Sequence, residues 1–174
     1  MFVDFELLGP NARVWLYQAD RILSDEEVLR INEYMHDFCR AWKAHGRDLA
    51  SSSKVLHNLF LIIGVEESHN KASGCSIDAS IAVIRELGRR HSIDFFNRLQ
   101  VACLNGNEVR LLKKSEIPGA IETGILLPET PVFDTLVNQA AYLKSDWLVP
   151  AGQTWLSRFF APNEKTIHPD TTKG

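Results

Sequence analysis

Cys75, His69 and Asp78 are the residues whose types could do chemistry together. They share the stretch Glu66-Glu67-Ser68-His69-Asn70-Lys71-Ala72-Ser73-Gly74-Cys75-Ser76-Ile77-Asp78. A cysteine attacks or ligates as its thiolate, which a helix N-terminus or a neighbouring imidazole favours. His69 lies close enough in sequence to return across a loop and take the Cys75 proton. Asp78, one turn beyond the thiol, can orient that imidazole or simply favour the first turn of a helix. The same stretch carries a second reading: Ser73, Gly74 and Ser76 open a helix whose first amides lack internal partners, which suits a small anionic ligand. His45, His57 and Arg158 are the candidates to complete such a pocket. A third reading is structural, because Ser-Gly-Cys-Ser also has ordinary capping chemistry.

Other chemistries lack their signatures. The chain contains no GxxxxGK[ST], no GxGxxG and no HExxH, so neither a nucleotide phosphate loop nor a zinc-peptidase helix is expected, and no cofactor or metal is assigned. Three cysteines, Cys39, Cys75 and Cys103, form no CxxC pair; this sparse, odd count predicts reduced thiols and a cytoplasmic setting. Lys plus Arg number 19 against 22 Asp plus Glu, for a formal net charge of -3, which argues against a nucleic-acid partner. Arg89-Arg90 and Lys113-Lys114 read as solvated faces near element ends. The first residues, Met1-Phe2-Val3-Asp4-Phe5-Glu6, show neither a basic region nor an apolar run of a secretory signal. The longest apolar run, Leu59 to Val65, is too short to span a bilayer, so no membrane association is expected.

The elements that must position these residues follow from periodicity. Arg13 to Ala19 reads as a strand, after a break at Gly9-Pro10-Asn11. Ser24-Asp25-Glu26-Glu27 offers a capping box. Val28, Ile31, Met35, Phe38 and Trp42 then fall on one helical stripe, with Gly46 as the stop and His45 at the negative end of the helix dipole. Arg47 to Ser53 reads as a polar connector. Lys54 to Val65 reads as one central strand, buried on both faces in its second half, with His57 and Asn58 on opposite faces. A second helix follows the Ser73 region, with Ile77, Ile81, Ile84 and Leu87 inward and its end near Gly88-Arg89-Arg90-His91. Asp94 to Arg98 forms a turn carrying two aromatics, and Asn105-Gly106 marks a hairpin between Leu99–Leu104 and Glu108–Leu112.

Ser115 to Gly124 suggests a short helix capped at Ser115, Val132 to Val137 an edge strand, and Asn138 the cap of a brief helix through Leu143. The expected fold is α/β of the α+β kind: one domain over residues 1–160, a mixed four- to five-stranded sheet with helices packed against it, parallel pairing in its early part. Residues 161–174 are expected to form a polar, mobile tail.

Arg13-Val14-Trp15-Leu16-Tyr17-Gln18-Ala19-Asp20, the Trp42 to His45-Gly46 stretch, Glu67-Ser68-His69 with Ser73-Gly74-Cys75-Ser76-Ile77-Asp78, and Asp94-Phe95-Phe96-Asn97-Arg98-Leu99 together resemble a family of short, uncharacterised bacterial proteins often labelled "ABC transporter ATPase". The resemblance spans about Arg13 to Phe160 and implies a shared fold. It transfers no mechanism, and the missing Walker motif conflicts with the label. Family members carry a histidine after the C-terminal tryptophan, where this chain has Leu156 after Trp155. Two functional expectations remain: a small-ligand or thiol-chemistry site at the Glu66 to Asp78 loop, or a non-catalytic module that self-associates into a homo-oligomer through the aromatic C-terminal segment around Trp147, Trp155 and Phe159-Phe160.

Overall fold

A computed structural model describes residues 1–68 and 70–160; His69 and the tail over 161–174 lie outside the described residues. The fold is α+β, and its strands are antiparallel. β1 (Arg13–Gln18), β4 (Ala50–Leu56) and β5 (Phe60–Glu66) form a sheet in the order β1-β5-β4. β6 (Gln100–Asn105), β7 (Glu108–Lys113), β8 (Pro131–Phe133) and β9 (Leu148–Pro150) form a second in the order β7-β6-β8-β9. β2 (Lys43–Ala44) and β3 (Arg47–Asp48) make a small separate hairpin. The expected parallel pairing does not occur between these strands; β1 pairs with β5 antiparallel, Arg13 opposite Val65 and Gln18 opposite Phe60.

The apolar run from Phe60 to Val65 is fully buried and forms the middle strand of the first sheet. What reads as one strand from Lys54 onward is a hairpin, β4 and β5, folded at His57-Asn58-Leu59. His57 and Asn58 both take positive φ (54° and 50°), so they form a turn and do not alternate across a strand. The Arg47–Ser53 stretch is likewise no connector. Ser51, Ser52 and Ser53 lie buried within β4, and the Ser51 hydroxyl donates to the Cys39 carbonyl at 3.1 Å.

Helix α1 (Asp25–Ala41) has the expected capping box: Ser24 Oγ accepts from the Glu27 amide, and Glu27 reaches back to the Ser24 amide at 2.9 Å. The Arg21 guanidinium on the same carboxylate, with the Ser24 amide, holds the Glu27 carboxyl at about 2. The helix stops at Ala41, before Gly46. His45 and Gly46, with φ of 51° and 76°, instead form the two-residue turn of the β2–β3 hairpin. The β6–β7 turn falls one residue later than expected, at Gly106-Asn107, with only Gly106 at positive φ. Helix α2 (Gly74–His91) runs through Gly88 and ends at Ser92 in the left-handed region.

Downstream, α3 (Ile117–Glu122) is preceded by a 3-10 turn and not by a Ser115 cap, while Gly124, at φ 71°, follows it. β8 is an interior strand of three residues where a longer edge strand was expected. α4 (Ala140–Ser145) starts without a side-chain cap from Asn138.

The second sheet lies between two apolar clusters because successive strand residues face opposite ways. Ala102 and Phe133 join the large cluster with Ile31, Met35, Ile62 and Leu87, whereas Cys103 and Val132 join a smaller one with Ile117, Leu126 and Leu156. Trp147 belongs to the large cluster. It packs with Phe60 and Phe133 at ring-centroid separations of 5.1 Å and 5.0 Å, and His57 lays its ring against both Phe133 and Trp147.

Both edges of the first sheet are covered. On β4, Ser51 exchanges backbone hydrogen bonds with Met1 and Val3, the Ser53 carbonyl accepts from His36 Nε2 at 3.1 Å, and the Val55 amide donates to Asn32 Oδ1 at 2.9 Å. On β1, the Val14 amide donates to Asn138 and the Ala12 carbonyl accepts from Ala140. Replacing Asn32 with Ala strands the part-buried Val55 amide. Denaturant unfolding of Asn32→Ala should show a loss of roughly 1–3 kcal/mol; an unchanged midpoint and slope would contradict this bond.

Partial burial against the aromatic rings pushes the His57 pKa down. The fold therefore favours the neutral ring. Its contribution is full above the unfolded pKa of about 6.5 and is lost as pH falls through the lower folded value. Unfolding free energy should decline from pH 7 towards pH 5. The decline should be shallower in His57→Asn, which tolerates the left-handed turn; equal slopes in the two proteins would refute the assignment.

Candidate functional site

The chain between β5 and α2 is built around reciprocal capping. Ser73 Oγ accepts from the Ser76 amide at 3.3 Å; Ser76 Oγ accepts from the Ser73 amide and donates to the Ser73 carbonyl, both at 2.8 Å. Both hydroxyl oxygens thus accept a backbone amide at the start of α2. Trp42 then fixes the helix start from the side, its indole N–H donating to the Ser76 carbonyl at 2.9 Å in a buried contact. Asn70 donates to the carbonyls of Arg47 and Asp48, which holds the loop against the β2–β3 hairpin that carries His45. The structure therefore brings Ser73, Gly74, Cys75 and Ser76 together at one helix start, beside the His45 hairpin.

Cys75 is exposed, as are Gly74, Asp78 and His45. His69, the proposed partner of the thiol, lies outside the described residues. Two carboxylates accompany the loop: Glu67 accepts from the Ala72 amide and lies 3.8 Å from Arg13, and Glu66 accepts from the Gly9 amide. Cys39 and Cys103 are buried, and burial pushes both thiols up. No group of three or more His, Cys, Asp or Glu converges to hold a metal among the described residues.

Arg158 stands in a different setting. With Arg98, Lys114, Leu99 and Trp155 it lines a hollow of about 210 Å³. Each wall has its own anchor. The Leu99 amide donates to Asn97 Oδ1 and the Leu99 carbonyl accepts from the Lys114 amide, so Arg98 and Lys114 are held on adjoining turns. Thr154 Oγ1 donates to the Ala151 carbonyl and accepts from the Leu156 amide. Leu156, fully buried, roots that segment in the smaller cluster, and Ser157–Phe160 forms the short helix α5 that carries Arg158. The Arg158 guanidinium lies 5.0 Å from the Trp155 ring and 5.1 Å from Phe159.

The electrostatics of this hollow are one-sided. Three cationic side chains line it and no carboxylate does, and none of the three pairs with Asp or Glu among the described residues. Sequence reasoning named Arg158 but missed Arg98, Lys114 and Leu99. Lys114 read as half of a solvated pair and Arg98 as the end of an aromatic turn; nothing in their spacing predicts that they meet. Comparison with protein-family models, with curated proteins and with solved structures found no match. Among the described residues no helix is long and apolar enough to cross a membrane.

Thiol accessibility checks the placement of α2. Native protein treated with iodoacetamide should be carbamidomethylated at Cys75 alone, with Cys39 and Cys103 reacting only after denaturation. Peptide mapping that found Cys75 protected, or Cys103 labelled as quickly, would overturn it.

Proposed function

We propose that the chain is a binding protein for a small anion, held in the hollow between Arg98, Lys114 and Arg158 and bordered by Trp155. The observation that carries this reading is the set of three cations around one hollow, none paired with a carboxylate among the described residues, in a chain of net charge -3. Arginine presents a planar fork that matches carboxylate and phosphate oxygens, and a lysine adds a mobile point charge. Arg158 is already oriented by two aromatic rings, so less side-chain freedom is lost when it grips an anion.

The 66–78 loop supports anion binding less well. Its Ser73 and Ser76 hydroxyls are engaged by each other's backbone in the reciprocal cap, and Glu67, accepting from the Ala72 amide, sets negative charge near the helix start. Thiol chemistry at the exposed Cys75 remains a separate proposal, for which His69 would be the required base. A second reading is favoured by one observation: Leu99 is 70% and Trp155 48% exposed on the same hollow, two apolar side chains of the kind that lie at interfaces between copies.

Inorganic phosphate tests the first reading. Trp155 is the most solvent-exposed tryptophan, so its fluorescence should change saturably with phosphate, and the change should vanish in Trp155→Phe. Arg158→Gln and Lys114→Gln should each weaken binding roughly tenfold. Calorimetry in which a triple Arg98, Lys114, Arg158 to Gln variant binds phosphate as the unaltered chain does would end the proposal. A concentration-dependent dimer by light scattering, abolished by Trp155→Ser but indifferent to phosphate, would favour the interface.

A further inference from the structure

A larger hollow, about 500 Å³, opens at the C-terminal end of α2 and takes in Ser92 to Phe96, the start of the connector that leads to Arg98. Its apolar lining is chiefly the half-buried ring of Phe96, with Ile93 nearly and Ile84 fully buried behind the surface, and its charged lining is Asp20, Asp94, Arg85 and Arg89. The two carboxylates are fixed. Asp20 Oδ1 accepts from the Asp94 amide at 3.0 Å, and Asp94 Oδ1 accepts from the Phe96 amide at 2.9 Å. Each keeps its second oxygen uncommitted, and neither pairs with a cation among the described residues. Arg21, next to Asp20 in sequence, is already bound to both oxygens of Glu27.

Arg85 is the complementary group. Its guanidinium lies 4.8 Å from the centre of the Phe96 ring and has no carboxylate partner among the described residues, whereas the neighbouring Arg89 and Arg90 are both tied to Glu86. The hollow thus gathers two carboxylates with an uncommitted oxygen each, a guanidinium without a carboxylate partner among the described residues, and the aromatic ring that this guanidinium overlies. A simple anion would meet two carboxylates, and a simple cation would meet Arg85. The ligand that satisfies all three features carries both charges and an apolar group.

We infer that this hollow is a site for a free α-amino acid with an apolar side chain. The ammonium goes to Asp20 and Asp94, the carboxylate to Arg85, and the side chain against the Phe96 ring. The inference does not rest on the anion site, since the two hollows share no lining residue.

Calorimetric titration of the full chain with L-leucine, L-phenylalanine and L-methionine tests it, beside N-acetyl-L-leucine and L-leucinamide, which each lack one of the two charges. At least one free amino acid should bind saturably, with N-acetyl-leucine and leucinamide each at least roughly tenfold weaker than leucine where leucine is that ligand. Asp94→Asn retains a side-chain oxygen for the Phe96 amide and should keep the fold, checked by its melting temperature, yet lose roughly tenfold in affinity. Arg85→Gln should lose as much. No saturable binding by any of the three amino acids, equal binding of the blocked analogues, or full affinity in both variants would each overturn the inference.

Discussion

Burying β5 on every side is the constraint the structure depends on. A strand whose residues from Phe60 to Val65 are all removed from water must have both faces covered and both neighbours paired. That requirement passes outward, because β4 and β1 then become edges whose own backbone groups need partners. Side chains of α1 and the first residues of the chain meet that need on β4, and the segment before α4 meets it on β1. Gly64 shows how tight the packing is: a Cβ there would come within 2.4 Å of Leu8 Cδ1. The strand is glycine at that point so that the chain before β1 can lie against it.

The positions of the candidate sites follow from this core. Covering β5 fixes α2, whose Ile84 and Leu87 enter the large cluster, and Trp42 locks the helix start through the Ser76 carbonyl. At the other end Gly88 lets the chain turn back closely, since a Cβ would meet the Ile93 carbonyl oxygen at 2.5 Å. The connector that results, pinned by the Asp20, Asp94 and Asn97 side chains, places Phe96 towards one hollow and Arg98 towards the other. Hydrogen bonds from backbone amides to these side chains set the course of the connector past both.

What the sequence discloses is mostly local. The α1 capping box and stripe, the buried run in β5, the helix after Ser73 and the β6–β7 hairpin are each encoded within a few residues, and each is present. Errors arise where one residue type serves two structures. Glycine after a helix also suits a two-residue hairpin, so His45-Gly46 reads as a stop when it is a turn. Three serines suggest a loop, yet all three lie buried in β4, and Ser51 finds a carbonyl partner in Cys39 of α1. His57-Asn58 carries no glycine or proline, so the turn that divides β4 from β5 is invisible until the pairing partner is known.

The site was legible in the same uneven way, and the reason is electrostatic. Four surface arginines are paired with carboxylates three or four residues away on the same helix: Arg30 with Glu26, Arg40 with Asp37, Arg89 and Arg90 with Glu86. Such pairs are readable from spacing and describe solvated faces. Arg98, Lys114 and Arg158 are far apart in sequence and meet only because the connector, the turn after β7 and the segment rooted by Leu156 converge. Charges that local pairing has already cancelled exert little pull on a ligand, whereas uncancelled charges gathered by tertiary structure exert the most. The binding chemistry proposed for this fold therefore draws on residues whose meeting the one-dimensional pattern does not disclose.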